Sequence, residues 1–307
     1  MIVRGTDRVI VMGITGKQGT FWTERMRAYG TRIVGGTNPS KAGTMHCSVP
    51  VFATARDAMK GAGFDVAVLF IPPLMAKEAA MDAIDAGAKG LVVLTEHIPV
   101  HDVMYFVAAA RERGVPILGP NTAGAVTPGE CFAGFMPAFN ERIFRKGSIG
   151  VVSRSGSLGT LLCLNIVQAG YGESAFLGIG GDPIIGTTTR QALVTLDQFP
   201  GTEAVVMVGE IGGSMEEEAA DYARTMSKPV VAFIAGGAAP AGKKMGHAGA
   251  IVMGDKGSYA SKRSALESAG VTVLETPSDA GAARSRSRAA TRSGRCSRRS
   301  RRDCFAN

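Results

Sequence analysis

No apolar run in this 307-residue chain approaches the roughly 20 residues a helix needs to span a bilayer, so no membrane segment is expected. Cysteine is sparse. The five present, Cys47, Cys131, Cys163, Cys296 and Cys304, are odd in number, widely spaced and without a CxxC pair, which argues against a disulfide framework and fits a reduced, cytoplasmic compartment. A signal-peptide pattern is also missing, because Met1-Ile-Val-Arg-Gly-Thr-Asp-Arg8 leads directly into a strand-like run. Histidines number only four; His46 and His97 read as ordinary polar positions, and no metal site is expected.

A basic body is lacking too, although the formal net charge is +8. Residues 281–307 hold nine arginines and one aspartate, which is the whole of that excess, and the other 25 basic and 25 acidic residues cancel. The neutral body gives no reason to expect nucleic acid as a partner. The Arg/Ser-rich tail has almost no apolar residues to bury and reads as disordered, either functionally idle or an RNA- or membrane-touching arm, with the idle reading preferred. What is present, 45% hydrophobic and 20% charged residues over 307 positions, suits a soluble protein with two cores.

The first half alternates strands and helices. Residues 8–12 form a short apolar run of buried-strand type, followed by Gly13-Ile-Thr-Gly-Lys-Gln-Gly19 and a helical stretch over 20–28. A strand, a glycine turn and a helix in that order turn free backbone amides and the positive end of a helix dipole toward a phosphate group. The spacing is GxxGxxG and not GxGxxG, and Val34-Gly-Gly-Thr-Asn38 supplies no acidic residue for a ribose, so a nicotinamide oxidoreductase is the weaker reading. Strands at 32–34, 66–70, 90–94 and 115–118, with helices over 75–86 and 104–113, predict a parallel sheet covered by helices in an α/β domain spanning 1–128. Ligands gather outside the carboxyl ends of such strands, where Asn38-Pro-Ser-Lys41, Ile71-Pro-Pro73, Thr95-Glu96-His97 and Gly119-Pro-Asn-Thr-Ala-Gly124 fall. Lys41 is either a phosphate contact or a solvated loop lysine.

After a Gly/Pro/Phe-containing connector at 129–146 the alternation restarts and fills 147–280. Strands are expected at 148–152, 175–177, 204–208, 230–234 and 271–274, and helices at 158–168, 187–196, 215–226 and 259–268. Ser153-Arg-Ser-Gly-Ser157 ends the first of these strands with capping hydroxyls, a second phosphate-type helix terminus. Glu210 and His247 both follow strand ends of this sheet. His247 sits among Gly246, Ala248 and Gly249, and an imidazole accepts a phosphoryl group only if its ring is uncrowded and its other nitrogen is held by a partner such as a carboxylate. The residues alone leave two readings, a nucleophile served by Glu210 or a surface-loop histidine without a role.

Taken together, Gly16-Lys-Gln-Gly-Thr20, Gly119-Pro-Asn121, Thr127-Pro-Gly-Glu130, Ser153-Arg-Ser-Gly156, Gly178-Ile-Gly-Gly-Asp-Pro183, Gly209-Glu-Ile-Gly-Gly213 and Gly246-His-Ala-Gly-Ala250 resemble, in the same order, the alpha subunit of the succinyl-CoA synthetase family, over roughly residues 1–276. The resemblance implies a Rossmann-like CoA-binding domain followed by a flavodoxin-like doubly wound domain, and a beta subunit whose ATP-grasp domain brings ATP or GTP with Mg2+. By position it implies that Thr15, Gly16, Lys17, Gln18, Gly19, Lys41, Thr95 and Glu96 meet CoA. It likewise implies that His247 is phosphorylated with Glu210 as its carboxylate partner, and that Ser153, Arg154 and Ser155 form a phosphate site.

Two departures concern the organic acid. Where the family has Thr-Tyr-Glu after the SRSG turn, this chain has Gly159-Thr160-Leu161, and GPNCPG has become Gly119-Pro-Asn-Thr-Ala-Gly124. Thr160 therefore stands at the expected acid pocket, and a dicarboxylic or hydroxy acid other than succinate, such as the malate of related malate–CoA ligases, is open. A non-catalytic CoA-binding protein is the reading from another class; it would keep the first domain and have no use for His247.

Overall fold

The structure, a computed structural model, describes residues 1–238, 247, 249–252 and 257–280. The small residues Gly246 and Ala248 beside His247, and the tail 281–307, lie outside the described residues. Apolar runs too short for helices and bounded by glycine become buried strands. The first half comprises β1 (Val9–Met12), α1 (Lys17–Tyr29), β2 (Ile33–Thr37), β3 (Met45–His46), β4 (Val49–Phe52), α2 (Ala55–Gly61), β5 (Val66–Leu69), α3 (Ala76–Asp85), β6 (Gly90–Val93), α4 (Val100–Glu112) and β7 (Ile117–Leu118). Their sheet runs β3-β4-β2-β1-β5-β6-β7 and is parallel except where β3 folds back on β4. Without the two-residue β3 this is the 3-2-1-4-5-6 order of a Rossmann sheet. Alternate residues face opposite ways. Ile10, Met12, Ala67 and Leu69 pack with Ala58, Ala80 and Phe106 of α2, α3 and α4, whereas Val9, Val11, Val66 and Val68 share the other core with Met26 of α1.

The second half comprises β8 (Gly124–Thr127), β9 (Cys131–Gly134), β10 (Lys146–Ser153), α5 (Gly156–Gln168), β11 (Glu173–Gly178), α6 (Thr189–Gln198), β12 (Ala204–Glu210), α7 (Met215–Ala223), β13 (Val230–Ala235), α8 (Tyr259–Ser268) and β14 (Thr272–Leu274). Its sheet runs β14-β13-β12-β10-β11-β8-β9. The five strands β10 to β14 are parallel in the 2-1-3-4-5 order of a flavodoxin-like sheet, and the β8–β9 hairpin is added antiparallel beyond β11.

That hairpin spans 124–134, across the point where the sequence pattern puts only a connector. Distant partners hold it. Thr31 Oγ1 donates to Phe132 O at 2.7 Å and accepts from Phe132 N at 3.1 Å, Thr127 Oγ1 donates to Val3 O at 2.6 Å, and the Phe132 ring meets Trp22 and Tyr29 edge-on. Through Phe132 one apolar cluster runs without a break from Val11 and Met26 to Val151 and Leu177.

Candidate active site

Each sheet has one place where strand order reverses, and loops from neighbouring strands diverge there to leave a crevice. In the first sheet the place is between β1 and β5. Gly13 has φ +80°, and a Cβ on Gly19 would overlap Gly13 O, so the start of α1 packs on its loop only because both are glycine. The N-cap of α1 is Gly16, which has no side chain to occupy the first-turn amides. Those amides open on a cleft of about 850 Å³ lined by Gly16, Lys17, Gln18, Gly19, Thr95 and Glu96, with the apolar residues Trp22, Ile71, Pro72 and Phe135 completing its wall. Thr95 Oγ1 donates to Ile71 O at 2.6 Å, tying the two strand-end loops together.

Of the residues expected at this cleft, two stand apart. The hydroxyl oxygen of Thr15 accepts a hydrogen bond from Asn38 Nδ2, and Lys41 is exposed at the end of the 3-10 turn Pro39–Lys41; neither lines the cleft. Trp22 and Phe135 were not read from the sequence as site residues. The available signal for Trp22 was its place one turn into α1: its Nε1 donates to Gln18 Oε1 at 3.1 Å.

In the second sheet the reversal lies between β10 and β12, whose ends carry Ser153 and Glu210. His247 Nδ1 lies 2.7 Å from Glu210 Oε2. In the neutral imidazole only the Nδ1–H tautomer gives the carboxylate something to accept, so in that form the proton is on Nδ1 and Nε2 keeps its lone pair. The Glu210 hydrogen bond raises the imidazole pKa above its ordinary value, partial burial opposes this, and the Arg154 charge also lowers it. The ring rests on Gly181, where a Cβ would lie 2.5 Å from Nδ1 and 2.7 Å from Cδ2. Behind the pair, Arg154 Nη2 is 3.2 Å from Glu210 Oε1, within ion-pair range though not aligned as a hydrogen bond. The arginine expected at a phosphate site thus has its guanidinium among Glu210, Glu216 and Gly212 O.

Ser155 is the N-cap of α5, its Oγ accepting from Leu158 N at 3.3 Å. Ser153 Oγ donates to Ser155 O at 2.6 Å, which fixes the turn and spends that hydroxyl internally. Thr160 sits one turn on, its Oγ1 donating to Gly156 O at 2.8 Å.

One residue joins the two crevices. Asn121, at φ +54°, donates its backbone N–H to Thr95 O at 2.9 Å and its side-chain amide to Asp182 Oδ1 at 2.9 Å, while its carbonyl accepts from Gly181 N at 3.3 Å. It therefore touches both a wall of the cleft and the loop beneath His247. Among the described residues no group of His, Cys, Asp and Glu is arranged to hold a metal, and no helix is long and apolar enough to cross a membrane.

Comparison with known proteins agrees with this two-part layout. The CoA binding domain family matches residues 5–97 and the CoA-ligase family residues 152–273. The chain is 47% identical over 277 residues to a succinate–CoA ligase [ADP-forming] subunit alpha of Archaeoglobus fulgidus, covering 90% of this chain and 96% of that one. It is 44% identical over 276 residues to an ADP-forming sulfoacetate–CoA ligase subunit of an Acholeplasma species, covering 89% and 93%. Among solved structures, ATP citrate lyase from Methanothrix soehngenii in complex with citrate and coenzyme A superposes with a TM-score of 0.82 at 25% identity, over 92% of this chain and 49% of that one. With a CoA-binding Rossmann half, a CoA-ligase half and 47% and 42% identity to such subunits over 90% and 89% of its length, the chain belongs to the alpha subunits of ADP-forming CoA ligases, a family that includes succinate and malate ligases.

Proposed function

We propose that this chain works with an ATP-grasp beta subunit to join a small organic acid to CoA through a phosphohistidine at His247. The observation that carries the reading is the 2.7 Å bond from Nδ1 to Glu210, which leaves Nε2 as the nucleophilic atom. Nε2 takes a phosphoryl group from ATP or GTP, which reaches the site with its Mg2+ on the partner, and the nucleoside diphosphate leaves. As the N–P bond forms, the imidazole becomes cationic between phosphate and Nδ1–H, and the adjacent Glu210 carboxylate stabilises that charge. An acid carboxylate oxygen then attacks phosphorus, giving an acyl phosphate and returning the lone pair to Nε2. Finally the CoA thiolate attacks the acyl carbon and inorganic phosphate departs. Splitting the condensation in this way replaces one hard step by transfers between activated groups.

The first-turn amides of α5, with Ser153 and Ser155 shaping the turn, are assigned to the transferring phosphoryl group. Gly16, Lys17, Gln18, Gly19, Thr95 and Glu96 are assigned to CoA, with Thr15 and Lys41 as outer contacts, and Thr160 to the acid. The acid is succinate or a close relative such as malate, and a cytoplasmic setting suits the chemistry. The test is labelling of the assembled complex with nucleotide carrying a radioactive terminal phosphate. The label should be acid-labile and base-stable, and His247→Asn should abolish it together with turnover while CoA still binds. A label that survives acid, or that forms fully in His247→Asn, refutes the reading.

A further inference from the structure

A row of alternating charge leads away from the histidine, and its members beyond Glu210 take no part in the steps above. In order it reads His247, Glu210, Arg154, Glu216, Lys262, Glu217, and it is deepest at Glu216 and Lys262. Arg154 Nη1 lies 3.7 Å from Glu216 Oε1, the Lys262 ammonium pairs with Glu216 Oε2 and donates to Gly212 O at 2.9 Å, and Glu217 Oε2 is 3.6 Å beyond it. The Arg154 side chain is 2% exposed, and those of Glu216 and Lys262 are 0%. Charges so far from water persist only when each is paired, and removing one member strands its neighbour.

The placement of Arg154 within this row decides its role. A guanidinium built to receive a phosphoryl group directs its N–H fork at the space the ligand fills. That of Arg154 is directed instead at two carboxylates and a carbonyl, with Gly249 leaving room beside it, since a Cβ there would lie 2.8 Å from Nη2. Its backbone N–H donates to Val208 O at 3.1 Å, so the residue is fixed to β12 two positions before Glu210.

We propose that Arg154 is a positioning residue, clamped between Glu210 and Glu216 with Lys262 anchoring the clamp, that holds the Glu210 carboxylate against His247 and does not itself bind phosphate. The proposal rests on the reading of His247 as the phosphorylated residue. Among the described residues the charged groups facing His247 are Glu210 from β12, Arg154 from the turn after β10, and Asp182 from the loop after β11. Arg154 divides its charge between Glu210 and Glu216, and that division sets how strongly Glu210 holds the imidazole proton.

Two substitutions shift the division in opposite directions. In Arg154→Lys a single, shorter ammonium cannot span both carboxylates, so Glu210 loses opposing charge and His247 keeps its proton to higher pH. In Glu216→Gln the guanidinium turns its whole charge to Glu210, and His247 loses its proton at lower pH. A partner one step removed moves a titration by less than the 1 to 3 units of direct contact, and we expect about 0.5 each way.

The experiment measures, in the assembled complex, the 15N-imidazole titration of His247, the pH dependence of its phosphorylation rate, and the KM for inorganic phosphate in the reverse reaction. The clamp requires opposite titration shifts in the two variants, matching shifts of the acid limb of labelling, and a phosphate KM within about threefold of wild type. A tenfold rise in that KM for Arg154→Lys, with no shift in Glu216→Gln, would make Arg154 a phosphate ligand and overturn the proposal. Lower thermal stability with unmoved titrations would reduce the row to a structural role and overturn it equally. If Arg154→Lys fails to assemble, the downward shift in Glu216→Gln alone decides. Titration shifts in a complex that never labels His247 would uphold the clamp while refuting the phosphohistidine, so the two readings fail separately.

Discussion

Gly181→Ala tests whether the imidazole is held where the chemistry needs it. The new methyl would sit 2.5 Å from Nδ1 and 2.7 Å from Cδ2 of His247. Non-bonded carbon contacts settle near 3.5 Å, so the ring must retreat by about 1 Å. Glu210 cannot follow it, because the other carboxylate oxygen is paired to buried Arg154. Because the methyl would stand over the ring face, the retreat runs along the ring normal: the 2.7 Å Nδ1–Oε2 bond lengthens only to about 2.9 Å, but the ring leaves the line of the carboxylate and Nε2 is carried off by about 1 Å. Misplacing a reacting group by about 1 Å typically costs on the order of 100-fold in rate, and that is the expected loss in His247 phosphorylation. The backbone should not suffer, since Gly181 is not among the glycines at positive φ. Its neighbour supplies the contrast. Gly180 has φ +100°, and an added Cβ there meets the backbone oxygen of Pro120, so Gly180→Ala should lower the melting temperature first. The assay is the initial labelling rate together with Tm on the same preparations. A Gly181→Ala enzyme that labels within threefold of wild type would show that the ring is not braced by this loop.

Glu210→Gln keeps the size and an acceptor but removes the charge; phosphorylation should slow by on the order of 10²- to 10⁴-fold without vanishing. Because Glu210 holds the imidazole pKa above its ordinary value, the acid limb of the rate profile should move to lower pH in this variant, as a pH series of labelling rates will show. Gly19→Ala drives a methyl into Gly13 O, backbone against backbone, and calorimetric titration should show CoA affinity falling at least about tenfold from distortion of the α1 turn. Glu173 is buried, its Oε2 accepting from Arg145 N at 3.0 Å and its Oε1 without a partner, and burial pushes its carboxyl pKa up to about 8 from 4.5. A folded-state pKa raised above the unfolded one means stability is greatest below about 4.5 and is lost as pH rises toward 8. Thermal melts between pH 5 and 8 should therefore decline less in Glu173→Gln than in wild type.

Much of this architecture was legible in the residues. Buried strands of Val, Ile and Leu ending at glycine announced both parallel sheets, and Glu210 and His247 were placeable because each follows such a strand. The ends of elements were less visible. α4 starts at Val100, a turn earlier than its apolar pattern suggests, because Pro99 presets the entry to a helix. The pair β3 and β4 is not legible because Pro50 interrupts the run; the proline is accommodated ahead of Val51 and Phe52, the two residues through which β4 pairs with β2. The β8–β9 hairpin was hidden for a different reason: Gly, Ala and Cys have little strand preference, and its pairing is dictated by β11, over 40 residues downstream. At the site, SRSG marked a helix terminus correctly as a local feature. Nothing local could show that the arginine inside it turns toward Glu216 of α7, or that Lys262 of α8 lies buried beside that carboxylate, since both facts belong to the packing of separate helices.

The hairpin also bears on how the chain can be dissected. A fragment beginning at Lys146 would keep all five parallel strands of the second sheet, yet the flank of β11 that β8 covers would be left open to solvent with its amide and carbonyl groups unpaired. Exposed apolar margins of this kind recruit strands from neighbouring molecules. An excised ligase half is thus expected to precipitate or to pair with itself, whereas one beginning ahead of Gly124 carries its own seal.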